Sequence, residues 1–190
     1  DRSVSRGLGD VYKRQINSQV KNLTAFLDSY HRLTHLPEPE YKTVSVPALF
    51  TKLERLLQAE PRSERVVYCD GKVDRSTGKE LQVYGDANLL TLALINLIRN
   101  ALQAVEGQED GIVRVDTCAG ATGHLLITIT DNGPGIPPER LSAIFTPFFS
   151  TKSGGSGIGL PISQRIMQLH GGQLSVSSIP NVRTEFRMEF

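Results

Sequence analysis

The chain has 190 residues, enough for one core-bearing domain with an appendage but not for three domains. Its 21 Lys and Arg nearly balance 20 Asp and Glu, and the absence of a basic face excludes a nucleic-acid footprint. The two cysteines, Cys69 and Cys118, have no Cys-x-x-Cys or Cys/His spacing, which argues against a disulfide framework or a zinc site and predicts two small buried residues in a reducing compartment.

Residues 1–15, "DRSVSRGLGDVYKRQ", are basic, glycine-broken and aperiodic, and are expected to be a non-native remnant or a disordered arm outside the fold. From Ile16 the apolar positions Val20, Leu23, Phe26, Leu27, Tyr30 and Leu33 recur at steps of one to four that keep to one helical stripe. The spacing predicts a helix ending before Pro37, with a face that needs a partner. Residues 16–42 are therefore read as a helical segment and linker, and 43–190 as a globular domain. "PEPEY" breaks the chain, and "VPALFTKLERLLQ" predicts a second helix with Pro47 near its first turn. Two β-rich segments follow around a polar loop with Gly71 and Gly78. Asp86 is the expected N-cap of a third helix, "ANLLTLALINLIRNALQAV", too apolar to be anything but largely buried. "GIVRVDTC" and "HLLITIT" predict two strands, 131–156 a loop region, 157 to about 169 a helix stopped by "HGG", and "QLSVSS" and "TEFRMEF" two closing strands. The order implies an α+β fold, one layer of mixed sheet with helices on one face. No apolar run approaches the roughly 20 residues needed to span a bilayer, so the chain is expected to be soluble and cytoplasmic, with membrane anchoring of a longer parent protein left open.

Three stretches carry chemistry. Asn96 and Asn100 lie four apart, on one face of an otherwise apolar helix, where each buried amide demands partners. Those partners are neighbouring backbone or water, or a hard cation such as magnesium held at the carbonyl oxygen of Asn100. In "TDNGPGIP", Asp131 ends a strand and is followed by Gly133 and Gly135. A plain turn accounts for the glycines; a carboxylate beside close-approaching backbone also suits an adenine amine, and guanine, with an oxygen at that place, would be repelled. "FSTKSGGSGIGLPIS" sets four glycines before a helix start. It is not a P-loop, because Lys152 precedes the glycines, and not a dinucleotide fingerprint, because no strand leads into it. A flexible linker accounts for "SGGSG" taken alone. A glycine loop that opens a helix also exposes unpaired amides and the positive end of a dipole to phosphates, with Lys152 as a movable charge.

In the order "NLIRNALQA", "DNGPGIP", "IFTPFFSTK" and "GSGIGL", these residues resemble the N box, first glycine box, phenylalanine box and second glycine box of the ATP-binding domain of sensor histidine kinases, in the wider group that includes type II topoisomerases, Hsp90-type chaperones and MutL. The resemblance spans residues 86–190 and implies a two-layer α/β sandwich of the Bergerat type with three helices on one face, binding ATP and Mg2+. Upstream, "LDSYHRLTHLPEP" looks like the second helix of a dimerisation and histidine-acceptor hairpin, with the flavour of nitrogen-regulation kinases. The resemblance assigns Asn96, Asn100 and Lys152 to catalysis, with the metal on Asn100. It assigns nucleotide contacts to Asn96, Asn100, Asp131, Gly133, Gly135 and Ile136, to Phe145, Phe148, Lys152, Gly155, Gly157, Ile158, Gly159 and Leu160 along the lid and second glycine box, and to Thr184 on a late strand. The family usually has a glycine or two before that threonine, where this chain has Asn181-Val182-Arg183. Hydrolysing relatives carry a glutamate where this chain has Asn96, and an amide has no useful basicity. Phosphoryl transfer to a protein histidine is therefore favoured over a chaperone- or repair-type ATPase; an ATP-gated switch without transfer stands as the alternative. Family acceptors sit on the first hairpin helix, usually before an acidic residue, whereas His31, His35, His124 and His170 read as surface or capping groups. The expected partners are a histidine-bearing hairpin helix of the parent kinase and a downstream response regulator. The parent is expected to be a homodimer; the chain alone is either monomeric, with its helical stripe against the domain, or paired through that stripe, and is expected to be unable to phosphorylate itself.

Overall fold

The computed structural model describes residues 34–69, 80–119, 124–150 and 156–190, with positions 20, 24, 27, 30, 31 and 78 besides. Five strands form the main sheet: β2 (Val66–Tyr68), β4 (Val113–Ala119), β5 (Leu125–Asp131), β6 (Gln173–Ile179) and β7 (Arg183–Glu189), in the order β2-β4-β5-β7-β6. β2 runs parallel to β4 and the other neighbours are antiparallel, so the sheet is mixed, as the sequence predicts. Three helices, α1 (Val46–Leu57), α2 (Ala87–Ala104) and α4 (Gly159–Leu169), build the second layer.

Local chemistry accounts for most of these elements. Ser45 caps α1 by accepting the Ala48 N–H at 3.1 Å, and Pro47 sits in the first turn, where its missing N–H costs nothing. β5 alternates between buried and half-buried residues, and its Leu125, Ile127 and Ile129 face the helices. Leu90, Leu94, Leu97 and Ile98 of α2 meet Ile127, Ile129, Ile166 and Met188 in a fully buried core. α4 ends at His170, and Gly171 takes φ +68, the left-handed conformation that closes a helix readily only with glycine.

Among the described residues, a 3-10 turn at Ser63–Arg65 and two further elements were not foreseen. β1 (Lys42–Ser45) pairs antiparallel with β3 (Gln82–Gly85) as a separate two-stranded sheet; four residues between "PEPEY" and a helix are too few to show a period. α3 (Pro138–Leu141) is a single turn within the segment read as loop. The cysteines are a correction: Cys69 is half-buried and Cys118 exposed. Cys118 alternates out of phase with the buried Val113, Val115 and Thr117, and so points to the sheet face away from the helices.

Upstream, residues 20, 24, 27, 30, 31 and 34 are helical; Thr24 and Thr34 hydroxyls donate to the carbonyls four residues back. Val20, Leu27 and Tyr30 are each about half exposed, so the predicted stripe is uncovered at these positions. His31 and His35 are exposed here, with rings 5.2 Å apart, and His124 bonds the Phe190 carbonyl through Nδ1 at 2.7 Å. Among the described residues no helix is long and apolar enough to cross a membrane.

Candidate functional site

The site is built around α2. Asp86 Oδ1 accepts the N–H groups of Asn88 (2.8 Å) and Leu89 (3.0 Å), which caps the helix, while Oδ2 accepts the N–H of Glu40 in the linker (2.9 Å). Burial alone would raise the Asp86 carboxyl; the backbone donors of Glu40, Leu89 and Asn88 outweigh it and hold the group below the usual aspartate range. The Asp86 N–H donates to His170 Nε2 (2.9 Å), and His170 Nδ1 lies 2.7 Å from the Ile166 carbonyl. A ring that accepts on one nitrogen and donates on the other is neutral and carries its proton on Nδ1. The imidazole lies so close to Gly85 that a Cβ there would sit 2.5 Å from its Cδ2. The start of α2 and the linker thus meet at the Asp86 carboxylate, and the end of α4 at the backbone N–H of the same residue.

With its apolar faces buried, α2 leaves a stripe of Asn96, Arg99, Asn100 and Gln103 on one wall of a cavity of about 580 Å³. That volume lies in the range of small-molecule sites. Opposite run Gly135 and Ile136, and α4 enters with Gly159 and Leu160; Gly157, Thr184 and Phe186 also belong to the lining. α4 has no side-chain cap, since Ile158 holds the cap position, and its first internal hydrogen bond is Ile162 N–H to Ile158 O. Among the described residues the helix therefore opens with the N–H groups of Gly159 and Leu160 uncapped by a side chain, at the cavity lining, the arrangement that attracts anions. Asn96 Nδ2 donates to the Gly159 carbonyl at 3.4 Å, tying α2 to this start.

Two glycines of the cavity lining are required by close approach. Gly135 takes φ +74, and a Cβ there would lie 2.7 Å from the Ile179 carbonyl oxygen and 2.9 Å from Pro180 Cα, so the β6–β7 hairpin presses directly on the cavity floor. Gly157 takes φ +65, and a Cβ would lie 2.6 Å from the Phe148 carbonyl carbon. Phe148 itself adopts φ +66 and donates its N–H to the Gly157 carbonyl at 2.9 Å, clasping the two ends of the segment between them.

Of the sequence-assigned residues, the cavity gathers Asn96, Asn100, Gly135, Ile136, Gly157, Gly159, Leu160 and Thr184. Asp131 is buried at the end of β5 directly opposite Thr184 on β7, and its Oδ1 accepts the Gly133 N–H at 3.0 Å. Ile158 belongs to the core and Phe145 packs against it, whereas Phe148 is 39% exposed. Lys152 and Gly155 lie outside the described residues. Asn181 takes φ +57, so an asparagine supplies the left-handed turn before Thr184 in place of a glycine. Missed from sequence were Arg99, Gln103 and Arg140 on the cavity wall. Gln103 could have been found, standing three residues after Asn100 on the same helical face. Arg99 lines the wall while its guanidinium pairs with Glu60, with Nε donating at 3.0 Å. Nothing in the sequence pattern marks Arg140.

The model of the family described as histidine kinase-, DNA gyrase B-, and HSP90-like ATPase matches residues 85–190. The sensor histidine kinase ZraS of Salmonella typhimurium is 36% identical over 140 residues, 73% of this chain and 28% of that protein. The sensory histidine kinase/phosphatase NtrB of Vibrio alginolyticus is 33% identical over 183 residues, 91% of this chain and 50% of that protein. The chain therefore spans about half or less of these relatives. Among solved structures, the nucleotide-free catalytic domain of histidine kinase ThkA superposes with a TM-score of 0.65 at 28% identity, covering 80% of this chain and 95% of that domain.

Proposed function

Because the chain belongs to the histidine kinase-, DNA gyrase B- and HSP90-like ATPase family and carries the catalytic domain of a sensor histidine kinase, we propose that it binds ATP in the cavity beside α2 and transfers the γ-phosphate to a histidine of a hairpin helix. The observation that carries this reading is convergence: Asn96 and Asn100, Gly135 and Ile136, Gly159 and Leu160, and Thr184 come from four separate parts of the chain to one cavity, and Asp131, itself outside the lining, pairs with Thr184 behind it.

In this reading Asp131 accepts the adenine amine, while Gly133 and Gly135 let backbone approach the base. The donors at the start of α4 face the phosphates, and Lys152 adds charge from the lid. Asn100 presents a neutral carbonyl oxygen on the cavity wall, which suits a hard cation delivered with phosphates; among the described residues no three His, Cys, Asp or Glu gather to hold a metal unaided. Magnesium, when bound there, neutralises charge on the phosphates. The protein's share of catalysis is positioning and charge neutralisation while an imidazole nitrogen forms the new P–N bond and the P–O bond to ADP breaks. Asn96 has no basicity to activate water, and its amide is already engaged with Gly159 O, which favours transfer over hydrolysis. None of the described histidines is the acceptor in this reading: His170 has both nitrogens engaged, and His31, His35 and His124 stand away from the cavity lining. The partners are a histidine-bearing dimerisation helix and, downstream, a response regulator; a homodimeric parent and a cytoplasmic site of action follow from the same reading.

The test combines the chain with a separate histidine-bearing hairpin and γ-labelled ATP. Label on histidine is the expected result; free phosphate would indicate an ATPase, and neither product would leave a nucleotide-gated switch.

A further inference from the structure

Resting on the adenine-nucleotide reading of the cavity, we infer that Ser178 is a specificity-determining positioning residue: it fixes the direction of the Thr184 hydroxyl proton so that Thr184 presents an acceptor to the bound base. Ser178 lies on β6, near the hairpin pressed against the cavity floor, and does not line the cavity. Its Oγ receives the Ile136 N–H at 2.8 Å, stands 3.0 Å from the Arg183 carbonyl and 3.1 Å from Thr184 Oγ1.

Proton counting decides the directions. Ser178 has one O–H to give and two lone pairs to fill. The Arg183 carbonyl is an acceptor only, so it takes the Ser178 proton. The lone pairs then receive Ile136 N–H and Thr184 O–H, and all three donors are satisfied. If Ser178 gave its proton to Thr184 instead, the hydroxyl of Thr184, a residue only 3% exposed, would be left with no acceptor among the described residues.

Thr184 therefore turns lone pairs toward the cavity, directly across the β5–β7 pair from the Asp131 carboxylate. Side chains so placed stand about 5 Å apart. Two adjacent acceptors match an exocyclic amine, which offers two protons, and reject a base that carries an oxo group at that edge. One carboxylate gives a preference; the oriented hydroxyl strengthens it, because a hydroxyl free to rotate would donate to the oxo oxygen.

The experiment measures ADP and GDP affinities by calorimetry for the unmodified chain, Ser178→Ala, Ser178→Thr, Thr184→Val and the double variant Ser178→Ala/Thr184→Val. Ser178→Ala is expected to lower the ADP-to-GDP affinity ratio about tenfold, the size of one hydrogen-bond mismatch, and Ser178→Thr to restore it. In the Thr184→Val background, Ser178→Ala is expected to leave the ratio where it is, since no hydroxyl remains to orient. A fall of equal size in both backgrounds, or an unchanged ratio in Ser178→Ala, overturns the inference while leaving the nucleotide reading intact. Should Ser178→Ala not fold, Ser178→Cys, which keeps the bulk with a weaker donor and acceptor, is expected to give an intermediate ratio, and an unchanged one refutes the assignment. Failure of the unmodified chain to bind ADP overturns the nucleotide reading itself, and this inference with it.

Discussion

Replacing Asp86 tests whether one carboxylate holds α2 and the linker together. Asp86→Ala removes the acceptor of Asn88 and Leu89 N–H and of Glu40 N–H. Loss of the cap costs about 1 kcal/mol, and loss of a charge-assisted bond to an amide that water can partly reach about another 1 kcal/mol. The sum of about 2 kcal/mol corresponds to a fall in Tm of about 4–8 °C for a domain of this size. Asp86→Asn keeps an oxygen for the cap but turns an NH2 group toward the Glu40 N–H, so it is expected to lose only the second part, about 1 kcal/mol. Thermal unfolding gives the stabilities, and amide hydrogen exchange separates the parts: both variants should speed exchange at Glu40, and only Asp86→Ala at Asn88 and Leu89. The pH dependence has a definite sign. The folded carboxyl ionises more readily than the ordinary aspartate at 3.8, so its stabilisation is fully present above that value and vanishes as the pH falls through the lower folded value. The gap between the unmodified chain and Asp86→Asn should close over that acid window. Equal destabilisation by Asn and Ala, or a cost below about 0.5 kcal/mol for Ala, would refute the reasoning.

Asn100→Ala is expected to lower ATP affinity in the presence of magnesium and to change it little with EDTA, measured by titration in both buffers; equal losses in both would take the cation away from Asn100. Asp131→Asn places an amide donor under the base and should lower ADP affinity about tenfold or more whether or not metal is present. Gly135→Ala must adopt φ +74 and meet the Ile179 carbonyl and Pro180, so a loss of about 2 kcal/mol or more is expected on chemical denaturation, with a weaker adenine site. His170→Phe leaves the Asp86 N–H without its acceptor and should destabilise by about 1–3 kcal/mol, whereas His31→Ala, at an exposed position, should leave nucleotide binding unchanged.

What could be read directly from the chain was chemistry confined to a few neighbouring residues. A helix period of four put Asn96 and Asn100 on one face, an aspartate announced the start of α2, and glycines marked where backbone takes a left-handed turn or comes close to something else. The four boxes are legible for that reason, and so is the mixed sheet with its layer of helices. β1 and α3 escaped because four residues show no period, and Cys118 was misjudged because a strand's alternation does not say which face a helix will cover. The tertiary structure alone decided which distant groups meet: Ser178 with Ile136 across 42 positions, Glu40 with Asp86 across 46, and Asp86 with His170 across 84. Those contacts follow from strand order and helix packing, and a hydrogen bond between residues so far apart leaves no periodic trace around either partner. The kind of site was thus written locally, while the proton direction at Thr184 and the anchoring of the linker arise only once β6 lies beside β7 with Ile136 against Ser178, and the linker reaches the start of α2.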